Sequence, residues 1–149
     1  MTIKDKLARY EPKPLGEKRR YAVLLPLIYD VKTDKYQILY QVRSEHISQP
    51  GEVSFPGGRV EDGETFQEAA IRETCEELNL IPDQIDIWGE IDYLIHQGRT
   101  VHCFVGKLNI DNWEDISPNE EVERLFTVCV DTLLTEDPIY YKITSTLSD

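Results

Sequence analysis

Three glutamates, Glu73, Glu76 and Glu77, stand at i, i+3 and i+4 in a chain of 149 residues. A helix turns by about 100° per residue, so the three fall within an arc of roughly 100° and share one face. Clustered glutamates on a helix are ordinarily a solvated acidic surface. Two features oppose that reading. Glu76 and Glu77 sit in the last turn, where the helix macrodipole disfavours anions. Arg72 is the only cation between residues 65 and 78. A divalent cation would offset the repulsion, because hard cations take oxygen ligands. Arg72 could bridge to Glu64, Glu68 or Glu76 and hold the array in shape. A calcium buffer would need an Asp-rich loop spacing that is absent.

The helix that must carry these groups is predicted over residues 65–78. Thr65 with Glu68 fits a capping box, Asn79 suits a left-handed terminus, and Pro82 prevents continuation. Ala70, Ile71, Thr74, Cys75 and Leu78 form the core-facing stripe. Ala69 lies beside the carboxylates, where a chain segment or a ligand can approach. Residues 21–29 (YAVLLPLIY) read as a buried strand whose Pro26 favours a bulge or an edge, and 36–43 as its hairpin partner across a polar turn. Residues 44–51 read as a loop, 52–55 as a short strand, and Pro56-Gly57-Gly58 as a sharp turn. Residues 85–95 and 100–108 form a second hairpin, 111–117 a loop, 125–130 a strand and 131–135 the start of another helix. Residues 1–20, with Pro12, Pro14 and Gly16, read as an irregular arm ahead of one domain over 21–149. Hairpin-paired strands around one strong helix predict an α/β (α+β) fold with a mixed sheet packed by helices.

The chain carries 28 acidic and 16 basic residues, a net charge of −12. Residues 1–20 hold seven Lys/Arg against three Asp/Glu, a balance of +4, which leaves −16 on the rest. That balance excludes a duplex nucleic-acid binder, which needs a basic footprint. The longest uncharged apolar run is far shorter than the ~20 residues that span a bilayer. The expectation is a cytoplasmic protein with no membrane partner. Cys75, Cys103 and Cys129 show no disulfide or metal-ligand spacing. His46, His96 and His102 lack ligand spacing, and Trp88 and Trp113 read as packing residues.

The pattern G-x5-E-x7-R-E-x-x-E-E-x-x-[apolar] is met by Gly58, Glu64, Arg72, Glu73, Glu76, Glu77 and Leu80. Residues 58–80 thereby resemble the Nudix box of diphosphate hydrolases; Thr74 and Asn79 depart from its usual apolar residue and Gly. The resemblance implies an α-β-α sandwich with the box as a catalytic loop–helix–loop. It implies Mg²⁺ or Mn²⁺ held by Glu73 and Glu77, with Glu76 as a further ligand or the base and a backbone carbonyl at Gly57 in the shell. Glu64 would be the structural partner of Arg72, and Glu121 a loop carboxylate that reaches the metal. Such chemistry suits an anionic protein. A cation neutralises the small-molecule diphosphate and polarises the P–O bond, and a carboxylate takes a proton from water.

Outside the box, Arg43-Ser44 leads through a short loop to residues 51–58 (GEVSFPGG). This is similar to the coenzyme A diphosphatase branch, as are Asn119-Glu120-Glu121-Val122 and Phe126-Thr127-Val128. The similarity implies hydrolysis of coenzyme A or its derivatives to 3′,5′-ADP and 4′-phosphopantetheine. Arg43, Ser44 and Arg59 are the candidate substrate contacts; each of the two arginines also reads as a plain surface cation, and Glu121 as a solvated loop residue. The loop after Ser44 is one residue shorter than in that branch. Ile47 and Ser48 replace its basic residue, Gln49 its His, and Cys129-Val130 its Pro-Leu. Rival readings are a Nudix hydrolase of another nucleoside diphosphate (ADP-ribose, NADH, a modified dNTP) and a Nudix ligand-binding module without catalysis. A homodimer stays open.

Overall fold

The apolar run after residue 20 becomes the central strand of the sheet. In the computed structural model, which describes residues 2–10, 19–96 and 98–133, strand β1 spans Arg20–Asp30. Ala22, Leu24 and Ile28 face one core, and Val23, Leu25 and Leu27 the other. Burial on both faces explains why the run does not alternate with polar residues. Strand β1 pairs antiparallel with β2 (Lys35–Arg43) and with β4 (Gly57–Arg59). On its other side it runs parallel to β6 (Arg99–Leu108), which forms an antiparallel hairpin with β5 (Ile85–His96). Strands β3 (Val53–Ser54) and β7 (Val122–Cys129) both pair with β2. The result is the expected mixed, seven-stranded sheet. Helix α2 (Phe66–Leu78) packs on the first core face through Ala69, Ala70 and Leu78.

Pro26 occupies neither a bulge nor an edge. It is fully buried in β1, opposite Gly106 of β6. Its imide nitrogen points to the same side as the Leu24 N–H, which donates to the Pro56 carbonyl. On that side β1 changes neighbour, from β4 at residues 21–23 to β2 at 27–30. The missing donor therefore falls where no ladder needs it.

Residues 57–58 also differ from the expected sharp turn: they open β4. A Cβ on Gly57 would lie 2.4 Å from the Ala22 carbonyl oxygen. Glycine is needed there because the two backbones approach so closely.

Helix α2 begins and ends as predicted. Thr65 Oγ1 accepts from the Glu68 N–H at 3.0 Å, and Glu68 Oε1 accepts from the Thr65 N–H at 2.9 Å. Asn79 terminates it at φ 52° and ψ 48°, and its side chain donates to the Ser117 carbonyl. Ala69 is wholly buried, so what approaches it is the chain itself. Residues 3–9 are not irregular. They form helix α1 (Ile3–Arg9), closed by a capping box of Thr2 and Asp5; the Pro12 and Pro14 breakers lie beyond its end. The 111–117 loop contains a 3-10 turn, Trp113–Asp115. Trp113 packs on the first core, whereas Trp88 is half exposed and meets Tyr36 edge-on. The last predicted helix starts at α3 (Val130–Leu133). Its residues 134–135, most of the predicted arm beyond Tyr10, the His96 side chain, Gln97 and the tail 134–149 lie outside the described residues.

Candidate active site

Helix α2 presents its carboxylates at three depths, because successive positions rotate around its axis. Glu76 is exposed, Glu73 is half-buried and Glu77 is buried. Arg72 binds the outer part of the array. Its Nε and Nη2 donate to the two oxygens of Glu64 at 2.7 and 3.1 Å. Nη1 reaches Glu73 at 2.9 Å and Glu76 at 3.3 Å, and Nη2 also donates to the Arg59 carbonyl at 3.0 Å. Of the three bridges expected for Arg72, those to Glu64 and Glu76 form. Glu68 is engaged in the helix cap instead. The fork-to-carboxylate geometry holds Glu64 below the ordinary carboxylate range and the Arg72 guanidinium above its own.

Glu77 is held from the inside. Its Oε1 accepts from Gln41 Nε2 at 2.7 Å and its Oε2 from the Gly57 N–H at 3.1 Å. Both donors are neutral. Burial pushes its pKa up to about 8, and the charges of Glu73 and Glu121 add to that. Burial likewise raises Glu73, and Glu76 and Glu121 add to the shift against the pull of Arg72. A Cβ on Gly58 would lie 2.5 Å from Glu73 Cδ, so this glycine is the seat of the Glu73 carboxylate. Gly58→Ala is therefore expected to displace Glu73 while leaving β4 paired. Turnover should fall at least about tenfold, by analogy with loss of a ligand-orienting partner, with a smaller change in melting temperature. Unchanged turnover would show that the position of Glu73 is immaterial.

Glu121 reaches this region through a pinned loop. The Asn119 N–H donates to the Glu77 carbonyl at 2.8 Å, Asn119 Oδ1 accepts from the Glu121 N–H, and the Ser44 N–H donates to the Glu121 carbonyl at 2.9 Å. Ser44 is itself buried, and in this structure it fixes that loop. Arg43 donates to the Ser48 carbonyl and hydroxyl and so shapes the 44–51 loop.

A cavity of about 250 Å³ opens over the site. Its wall brings together Arg43 of β2, Gly57, Gly58 and Arg59 of β4, Glu77 of α2 and Glu121 of the loop before β7, four separate segments. Glu64, Glu73 and Glu76 are grouped around Arg72 rather than on the cavity wall. A larger cavity of about 500 Å³ lies past the end of α2, but its charged lining is Asp111 and Asp115 alone. Such a lining does not suit an anionic ligand.

Among the described residues, no three carboxylate, histidine or cysteine side chains stand close enough together to hold a metal ion as placed. The donor set nonetheless fits a hard divalent cation. It is all oxygen, and Glu77 is a buried carboxylate whose bonded partners among the described residues are neutral. Gln41, which holds Glu77, is the contact that the sequence reading did not include. The signal was there: a polar residue in the middle of an apolar strand, on the parity of the inward-facing Leu39.

The sheet, the helix cap and the carboxylate-lined cavity define an α+β domain built around a loop–helix–loop acidic site. The NUDIX domain matches residues 18–147, and the chain belongs to that family. It is 36% identical over 118 residues to Nudix hydrolase 3 of Caenorhabditis elegans, covering 76% of this chain and 48% of that protein. It is 31% identical over 150 residues to the mouse peroxisomal coenzyme A diphosphatase NUDT7, covering 94% of this chain and 62% of that protein. The chain thus spans between about half and less than two thirds of these relatives. Among solved structures, a C. elegans Ap4A hydrolase binary complex has a TM-score of 0.63 at 24% identity over 77% of this chain and 83% of that one. The Nudix hydrolase RenU of M. smegmatis has a TM-score of 0.66 at 19% identity over 89% of each chain. These two likenesses confirm the fold.

Proposed function

We propose that the chain hydrolyses the diphosphate of coenzyme A or a derivative with Mg²⁺ or Mn²⁺, releasing 3′,5′-ADP and 4′-phosphopantetheine. The observation that carries the reading is Glu77. It is a buried carboxylate without a cationic partner among the described residues, on the wall of a cavity that also holds Arg43, Arg59 and Glu121. Glu73, Glu76 and Glu77 would hold the cation, with the Gly57 carbonyl and Glu121 beside them. When bound, a divalent cation neutralises the diphosphate and polarises its P–O bond. Arg43 and Arg59 flank the anion. One carboxylate of the set takes a proton from the attacking water, whose oxygen bonds to phosphorus as the bridging P–O bond breaks. The leaving group is a phosphate ester, so no covalent enzyme intermediate is needed.

The coenzyme A assignment is supported by the Arg43-Ser44 and FPGG segments and by the identity to the mouse coenzyme A diphosphatase. Ile47 on the cavity wall favours the second reading, another nucleoside diphosphate, because it leaves that loop position without a cation. Cytoplasmic residence belongs to the proposal; three free cysteines support a reducing compartment, and no helix among the described residues is long and apolar enough to cross a membrane.

The experiment is product identification by mass spectrometry with Mg²⁺ and then Mn²⁺, on coenzyme A, ADP-ribose, NADH and a dNTP set at equal concentration. The expected result is phosphopantetheine released at the highest kcat/KM. Preference for another substrate would keep the hydrolase and move its specificity. Cleavage of none, with cation bound, would favour a binding module.

A further inference from the structure

The amide that holds Glu77 is costly where it stands. Gln41 is 3% exposed, and its backbone is flanked by Ser54 of β3 and Leu125 of β7. Its Oε1 is buried without a hydrogen-bond partner among the described residues. An unmatched buried acceptor lowers stability, and a leucine of similar volume would remove it. What the amide supplies in return is one bond, Nε2 to Glu77 Oε1. With the Gly57 N–H on Oε2, that bond fixes both oxygens of Glu77 and stops rotation of the carboxylate. Both donors are neutral, so the charge of Glu77 is oriented without being cancelled. A lysine or arginine at position 41 would pair with Glu77 and compete with any cation.

We infer that Gln41 is a positioning residue for Glu77, placed so that divalent-cation affinity, rather than folding, depends on it. The inference rests on the cation-dependent reading above. The Gln41–Glu77 contact is made across 36 positions of chain by the packing of α2 on the sheet, so a rigid sheet interior serves as the reference for a helix side chain. Partners that orient metal ligands typically contribute roughly 10–100-fold in affinity.

The test uses the purified full chain and Mn²⁺ alone as the probe, with free Mn²⁺ read by electron paramagnetic resonance. Gln41→Leu and Gln41→Met each remove the orphaned Oε1 but leave Glu77 Oε1 without its donor, so they are expected to melt close to the wild-type temperature and to bind Mn²⁺ about tenfold or more weakly. Their kcat at limiting Mn²⁺ should fall, with KM for the diphosphate unchanged, and should recover as Mn²⁺ is raised. Wild-type affinity in both variants would overturn the inference alone. So would an affinity loss that tracks a loss of melting temperature, since that is a structural role. A wild-type chain that neither binds Mn²⁺ nor cleaves a diphosphate would overturn the inference together with the reading beneath it.

Discussion

Glu77→Gln is expected to leave a folded protein that has lost roughly 10³-fold or more in kcat/KM, equivalent to about 4 kcal/mol of transition-state stabilisation. The fold should survive because the substitution removes a buried acid and keeps its shape. The new amide oxygen can accept from the Gly57 N–H while its NH2 donates to Gln41 Oε1 once the Gln41 amide turns over, so one contact must be rearranged. Against that, the wild-type side chain carries a desolvation penalty large enough to raise its pKa to about 8. Melting measured as a function of pH without metal separates these effects. The folded state holds the Glu77 proton up to about pH 8, whereas the unfolded state releases it near its ordinary value of 4.5. Between those values the folded state binds more protons, so the wild type loses stability as pH rises through that window. The variant lacks this loss, and its melting temperature should gain on the wild type from pH 5 to 8. Added Mn²⁺ should stabilise the wild type most at the upper end, where the carboxylate is charged. Near-normal turnover in the variant would remove Glu77 from the site, and parallel pH curves would show that its burial does not perturb it.

What could be read from the sequence follows from how local each signal is. The spacing of Arg72, Glu73, Glu76 and Glu77 encodes a helix face, and Thr65, Glu68 and Asn79 encode its two ends; all lie within one helical segment. Residues 3–9 carry an equally local signal, the capping pattern of Thr2 and Asp5, beside the opposing breakers Pro12 and Pro14. Pro26 was not legible. Its tolerance in a central strand depends on which neighbour lies on which side, and that is decided by β4 and β2 together. Gln41 was legible as a polar residue at an inward-facing position, but its link to Glu77 was not, for the same reason. Its meaning comes from a helix that follows it by more than twenty residues. Ala69 was legible as a point of close approach, by a chain segment or a ligand, and only the packed fold decides that the chain itself fills it. Ser44 fell beside Arg43 in the same motif, yet a buried position and a backbone bond to Glu121 give it a part in loop anchoring.

Arg72→Ala is expected to damage stability and rate together. The arginine gathers Glu64, Glu73 and Glu76, and its side chain is only 25% exposed. Removing it leaves carboxylates facing each other with two hydrogen bonds lost at Glu64 alone. Full burial of such a cluster would put the loss at roughly 3–5 kcal/mol. Partial exposure lets water and salt screen it, so about 2–3 kcal/mol is expected, or a fall of about 5–10 °C in Tm for a domain of this size. Acid should narrow the difference. Glu64 has a lowered pKa in the folded wild type, so its contribution is complete above the ordinary value of 4.5 and is lost as pH falls through the lower folded value. The variant has no such contribution to lose. The gap between the two proteins should therefore be widest above about pH 5 and close progressively below 4.5. Arg72→Lys should fall between them, because an ammonium restores the charge but cannot fork onto both oxygens of Glu64. Turnover of Arg72→Ala should drop even where it remains folded, since Glu73 loses the Nη1 donor that it shares with Glu76 and that fixes its carboxylate. Raising Mn²⁺ should recover part of both losses, because the cation replaces the missing positive charge among the same carboxylates. Melting unchanged across pH 4–8 would mean that Arg72 does not organise them, and the reading of the acidic helix as a cation-holding array would lose its mechanical support.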